Sequence, residues 1–206
     1  MQAPDRRPLA SRNARWAQHI ASALARSALT PNQISSTSIV FAGLGAVALV
    51  DARPLALVLA AVCVQLRLLC NLLDGMVAIE GGKRSPVGAL YNEFPDRIAD
   101  SLLLVALGYA ALLPWLGWLA ALLAALTAYV RATGAALGFA QDFRGPMAKP
   151  HRMAVLTLAC LVGAAEAQLN GTRYALLAAA GLIAVGSALT CATRTYALAR
   201  QMRERG

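Results

Sequence analysis

Asn71, Asp74, Asn92 and Asp96 are the residues of this chain best equipped for chemistry. All four carry side-chain oxygens, and they stand in the segment NLLDGMVAIEGGKRSPVGALYNEFPD, residues 71–96, at the seam of two very apolar stretches. Asn71 and Asp74 are three apart and Asn92 and Asp96 four apart, so each pair lies on one face of its helix. The two faces can meet across a hairpin, a geometry that suits a cation. A carboxylate left inside a bilayer costs on the order of 3 kcal/mol, so ionisable residues there usually face a polar cavity and carry function. The plainer alternative makes Asp74 and Asp96 interfacial, held by Arg67 and Arg97. Convergence of two independent segments on one glycine-rich turn favours the functional reading. Gly75, Gly81, Gly82 and Gly88 let the backbone approach a ligand, and Lys83 and Arg84 add positive charge.

The elements that must position these residues are membrane helices. Of 206 residues, 58% are hydrophobic and 14% charged, and the mean hydropathy of +0.56 lies outside the usual soluble range. With roughly 20 residues needed per crossing, spans are drawn at 33–52, 54–74, 96–113, 115–136, 153–170 and 174–197. Asp51-Ala52-Arg53-Pro54, Pro114 and Asn170-Gly171 mark turns between them. The expected fold is therefore an all-α integral membrane protein with six transmembrane helices. Residues 30–200 form the transmembrane catalytic domain, 1–29 an N-terminal segment and 201–206 a basic tail.

Six spans place seventeen of the nineteen Lys and Arg residues on one side, leaving only Arg53 and Arg173 opposite. The positive-inside rule makes the crowded side cytoplasmic, together with both termini and the acidic turn, in what is expected to be a bacterial inner membrane. The net charge of +9 then reads as topology and attraction to anionic lipid headgroups. Nucleic acid is not an expected partner, because the basic residues are dispersed and no nucleic-acid module is visible.

Residues 1–12 are polar and lack the apolar core of a signal peptide. In residues 13–29, Trp16, Ile20, Leu24 and Leu29 recur at helical spacing among Arg15, His19 and Arg26. That pattern fits an amphipathic helix lying in the interface, or equally a helix packed on the protein. Cys63, Cys70, Cys160 and Cys191 all fall in spans without ligand spacing and read as small apolar residues.

Residues 71–96 resemble the motif of the CDP-alcohol phosphotransferase (CDP-alcohol phosphatidyltransferase) family of membrane enzymes. That pattern is Asp, two residues, Asp-Gly, two residues, Ala-Arg, eight residues, Gly, three residues, Asp, three residues, Asp. Asp74, Gly75, Ala78, Gly88 and Asp96 fall on it, whereas Asn71 and Asn92 replace two aspartates and Ile79 the arginine. Thr30-Pro31-Asn32-Gln33-Ile34-Ser35 is similar to the segment that opens the family's transmembrane core. A helix start with Pro and a capping residue would explain Thr30 and Pro31 by itself. Tyr129-Val130-Arg131-Ala132 and residues 145–152 are similar to its later basic segments.

The resemblance implies transfer of a phosphatidyl or similar group from a CDP-linked lipid to a small alcohol, with release of CMP. Divalent cations would neutralise charge on the donor's diphosphate, and hard oxygen ligands prefer Mg2+ or Mn2+. By position Asn71, Asp74, Asn92 and Asp96 would be metal ligands and Asp96 the base. Asn32, Gly75, Ala78 and Gly88 would bind the nucleotide. A homodimer is also implied.

Two amides in place of carboxylates would weaken cation binding and could leave one ion where the resembled family uses two. Glu80, Glu93 and Asp100 could compensate, Asp100 being the better placed, four residues after Asp96 on the same face. For Glu93 an ion pair with Arg97 is the preferred reading. Arg131, Lys149 and Arg152 make an anion pocket that favours a phosphorylated acceptor, since arginine grips phosphate through paired hydrogen bonds. Lys149 and Arg152 are equally well explained as positive-inside residues. His19 and His151 read as ordinary loop or surface residues. The competing class is a catalytically impaired relative that binds a CDP-lipid or serves as a partner subunit; a small transporter fits the spacing least.

Overall fold

The structure is a computed structural model and describes residues 14–83 and 85–205. Arg84, the Glu80 side chain and the polar stretch before Ala14 lie outside the described residues. Seven helices make up the described chain: α1 (Arg15–Arg26), α2 (Pro31–Asp51), α3 (Pro54–Glu80), α4 (Gly88–Ala110), α5 (Pro114–Ala136), α6 (Lys149–Leu169) and α7 (Tyr174–Arg205). Four of them, α2, α3, α5 and α6, begin with Pro in the first turn, where the missing N–H costs nothing. At the start of α2 the Thr30 hydroxyl accepts from the Gln33 N–H at 3.3 Å, and the Thr30 N–H donates to the Gln33 side chain at 2.9 Å.

The protein is an all-α membrane protein. Five described helices, α2, α3, α5, α6 and α7, are long and apolar enough to cross a bilayer. The sixth expected span, α4, has 23 residues, about 35 Å of helix, but carries Asn92, Glu93, Asp96, Arg97 and Asp100 in its first thirteen. It starts at Gly88, eight residues before the expected 96. The apolar pattern begins only after Pro95, and Pro95 inside the helix disguises the polar turns before it. α3 likewise continues six residues past 74, and α7 runs on to Arg205.

The long helices close a ring in the order α2, α3, α6, α7, α5, α4, with α4 also touching α7 across the middle. α3 and α4 do not pack as a hairpin: α2 lies against both of them, and they touch each other little. Small residues allow the close approaches. A Cβ added to Gly108 of α4 would stand 2.6 Å from the Gly117 Cα of α5. Leu103, Leu104 and Leu107 of α4 fill the ring together with Leu57, Leu156, Leu176 and Ile183.

α1 packs on α3 through Ala17 and Ala21, which are buried against Leu72, Leu73, Met76 and Val77. Trp16 and Ile20 stay exposed, so α1 both docks on the protein and offers an apolar edge outward, combining the two expectations for it. The four cysteines are free thiols, with Cys160 fully buried.

Candidate active site

Asn71 and Asp74 sit in the last ten residues of α3, and Asn92 and Asp96 in the first nine of α4, at the same end of the bundle. Asn71 crosses the gap between the helices, its amide Nδ2 donating to Asp96 Oδ1 at 2.6 Å. The oxygen-bearing faces thus meet through side chains while α2 keeps the backbones apart.

They open into one cavity of about 880 Å³. Asn32, Asn71, Asp74, Gly75, Ala78, Gly88, Asn92, Asp96, Arg131, Lys149 and Arg152 all line it. Of the residues singled out in the sequence, Asp100 does not. Sequence reasoning also missed lining residues: Ser35 of α2, Gln65 of α3, Thr127 of α5, Gln141 and Phe143 of the α5–α6 loop, and Arg194 of α7. Ser35 ended a recognised segment, but its hydroxyl gave no sign of a partner 39 residues away. Arg194 looked like any basic residue near the end of a span. It is buried and donates from Nε to the Arg144 carbonyl at 2.8 Å and from Nη1 to the Thr127 carbonyl at 2.9 Å.

The acids differ in their surroundings. Asp74 is buried; its Oδ2 accepts from the Ser35 hydroxyl at 2.5 Å, and its Oδ1 is buried without a hydrogen-bond partner among the described residues. Asp96 is crowded. Besides Asn71, Lys149 Nζ donates to its Oδ2 at 2.5 Å, Arg67 Nη2 lies 3.3 Å from its Oδ1, and Arg97 Nη2 lies 3.7 Å from its Oδ2.

Asp100, expected as the acid that could compensate for the asparagines, faces two arginines and does not line the cavity. Arg67 Nη2 donates to its Oδ1 at 2.5 Å and Arg152 Nη2 to its Oδ2 at 3.1 Å. Both oxygens are committed to buried arginines because Asp100 lies one turn deeper than Asp96, turned into the bundle. Among the described residues no three His, Cys, Asp or Glu side chains surround a common point suited to a metal.

The basic residues expected to form an open anion pocket have protein partners. Arg131 Nη2 donates to both oxygens of Glu93, at 2.6 and 2.8 Å, Nη1 donates to Gln141, and the guanidinium lies over the Phe143 ring at 5.5 Å. Glu93 accordingly pairs chiefly with Arg131, with Arg97 more distant at 3.9 Å. Arg152 uses its two terminal nitrogens on Asp100 and on the Met147 carbonyl. The loop that brings Gln141 and Phe143 to the cavity is pinned by Asp142. The Arg144 side chain hydrogen-bonds that carboxyl and holds it below the usual carboxylate range. His151 contacts the Pro146 carbonyl and His19 the Arg15 carbonyl, so both take local roles.

The family model for CDP-alcohol phosphatidyltransferase matches residues 28–193. The chain belongs to this family. It is a transferase of the CDP-alcohol phosphatidyltransferase type, and the matched region takes in α2 to α6, most of α7 and every residue of the cavity except Trp16 and Arg194. Solved structures agree. The phosphatidylinositol phosphate synthase PgsA1 of Mycobacterium tuberculosis with CDP-DAG bound superposes with a TM-score of 0.74 at 26% identity, covering 90% of this chain and 94% of that one. The same enzyme with manganese and citrate gives 0.73 at 24% identity, covering 88% of each chain. Its apo form gives 0.70 at 25% identity, covering 86% and 93%. A comparison with curated proteins returns no match. CDP-alcohol phosphatidyltransferases use divalent metals.

Proposed function

We propose that this CDP-alcohol phosphatidyltransferase moves the phosphatidyl group of CDP-diacylglycerol to a small alcohol and releases CMP, on the cytoplasmic side of the membrane. The observation that carries this reading is the shared cavity. Oxygen donors of α3 and α4, a glycine-bearing turn and basic residues of α5 and α6 line one space, at the end of the bundle that the order of Lys and Arg in the sequence leads one to expect on the cytoplasmic side. The bound CDP-diacylglycerol and manganese of the similar synthase structures supply the chemical class.

Asp74 fits a divalent ion: its Oδ1 is a buried hard oxygen without a hydrogen-bond partner among the described residues, and Asn71 and Asn92 line the same cavity. These three would hold one Mg2+ or Mn2+, which when bound supplies positive charge against the diphosphate. Ser35 fixes the Asp74 carboxylate through Oδ2 and leaves Oδ1 for the ion. Asn32, Gly75, Ala78 and Gly88 frame the nucleotide. The acceptor hydroxyl oxygen bonds to the phosphatidyl phosphorus as the bond to the CMP oxygen breaks, and its proton passes to Asp96. To accept it, Asp96 must release Lys149 from Oδ2. Lys149 is then free to meet the acceptor, and Glu93, whose side chain is 43% exposed against 14% for Arg131, can yield Arg131 to an acceptor phosphate.

One observation favours the second reading, a CDP-lipid binder without turnover. Asn71 and Lys149 together occupy both Asp96 oxygens, and an aspartate at 71 could not donate as Asn71 does. CMP release from CDP-diacylglycerol, followed with Mg2+ or Mn2+ across a panel of alcohols and polyol phosphates, decides between them. Turnover abolished by Asp96→Ala supports the transferase, whereas tight CDP-lipid binding without CMP release supports the binder. Asn71→Asp with Asn92→Asp should tighten Mn2+ binding; unchanged affinity removes both positions from the ligand set.

A further inference from the structure

Arg67, Asp100 and Arg152 form an ion cluster that the transfer chemistry does not use. Their exposures are 0%, 3% and 2%, and they come from three different helices, α3, α4 and α6. Burying three ions is expensive unless each is paired, and here one carboxylate serves two guanidinium groups. The pairing is uneven. Arg67 Nη2 approaches Asp100 at 2.5 Å but Asp96 only at 3.3 Å, with the Asp96 carbonyl at 3.4 Å, while Nε and Nη1 of Arg67 find no partner among the described residues. Arg67 therefore stands between two carboxylates one helical turn apart and is drawn to the deeper one.

We propose that Asp100 is a positioning residue of the transfer reaction: it draws Arg67 away from Asp96 and anchors Arg152 beside it. Asp96 thereby keeps its carboxylate turned to Asn71, Lys149 and the cavity. A charged acceptor holds a guanidinium about twice as strongly as a neutral one, so with Asp100 neutral the nearest strong partner for Arg67 is Asp96. The misplaced guanidinium would then compete with the acceptor's proton and with Lys149. Arg152 would keep only the Met147 carbonyl for its terminal nitrogens.

This inference rests on the proposed phosphatidyl transfer, and its test separates the two. Asp100→Asn, which preserves shape, is expected to lower kcat by about ten- to a hundredfold while KM for CDP-diacylglycerol stays within about twofold. The double variant Asp100→Asn with Arg67→Gln is expected to recover part of that kcat, because the competing guanidinium is gone. A purely architectural cluster predicts the reverse, since the second change removes more of it. Wild-type kcat in Asp100→Asn, kcat and KM changing together, or a double variant no better than the single one would overturn the proposal. Should the wild-type protein show no CMP release, the transfer reading fails, and thermal unfolding still judges the cluster. The coupling between Arg67→Gln and Asp96→Asn is expected to be larger in the Asp100→Asn background than in the wild type, and equal coupling would refute the arrangement.

Discussion

Asp74 and Asp100 are both carboxylates buried in the membrane-spanning bundle, yet they are built for opposite ends. Asp100 has two arginines on its two oxygens, and Asp74 has one serine hydroxyl and a second oxygen without a hydrogen-bond partner among the described residues. Burial alone therefore says little about role. What distinguishes them is satisfaction: a carboxylate whose oxygens are all matched by fixed cations holds helices together, and one left short of a cation is prepared to receive one. Asp96 stands between them, reached by both the buried cluster and the cavity.

The contrast can be broken most forcefully at Asp100. Asp100→Ala takes the shared counter-charge from two buried arginines, leaving Arg67 only the more distant Asp96, and a loss of about 3–5 kcal/mol is expected, read as a lowered melting temperature in detergent. Asp74→Asn should do the opposite to stability. It removes an unmatched buried charge, so the melting temperature should hold or rise, while Mn2+ binding vanishes and turnover falls by about a hundred- to a thousandfold. If Asp74→Asn melts as early as Asp100→Ala, the division into binding and structural carboxylates collapses. Ser35→Ala sharpens the comparison with the smallest effect. Losing the hydroxyl that orients Asp74 should weaken Mn2+ affinity by about tenfold without unfolding the protein, measurable by Mn2+ titration.

Much of the site was readable from residue spacing, because helical periodicity is local. Asn71 with Asp74 and Asn92 with Asp96 share faces as the three- and four-residue intervals require, and all four reach one cavity. The start of α4 was read late because Pro95 and the polar turns before it hid a continuing helix. The partners of Asp100 escape the sequence for a related reason. Spacing places a residue on a face, but not at a depth or opposite a partner, and its two arginines come from positions 33 and 52 residues away. Ser35 and Arg194 were invisible as site residues because their partners likewise lie on other helices.

The sequence by itself determined that the chain is a bundle of membrane helices and which helix faces carry oxygen donors. Each of these follows from composition or from periods shorter than two helical turns. Only the tertiary structure decided which carboxylate is left open and which is neutralised, that α2 separates α3 from α4, and that Asn71 reaches Asp96. Those outcomes depend on contacts between segments distant in the chain, and no local interval encodes the position of a partner on another helix.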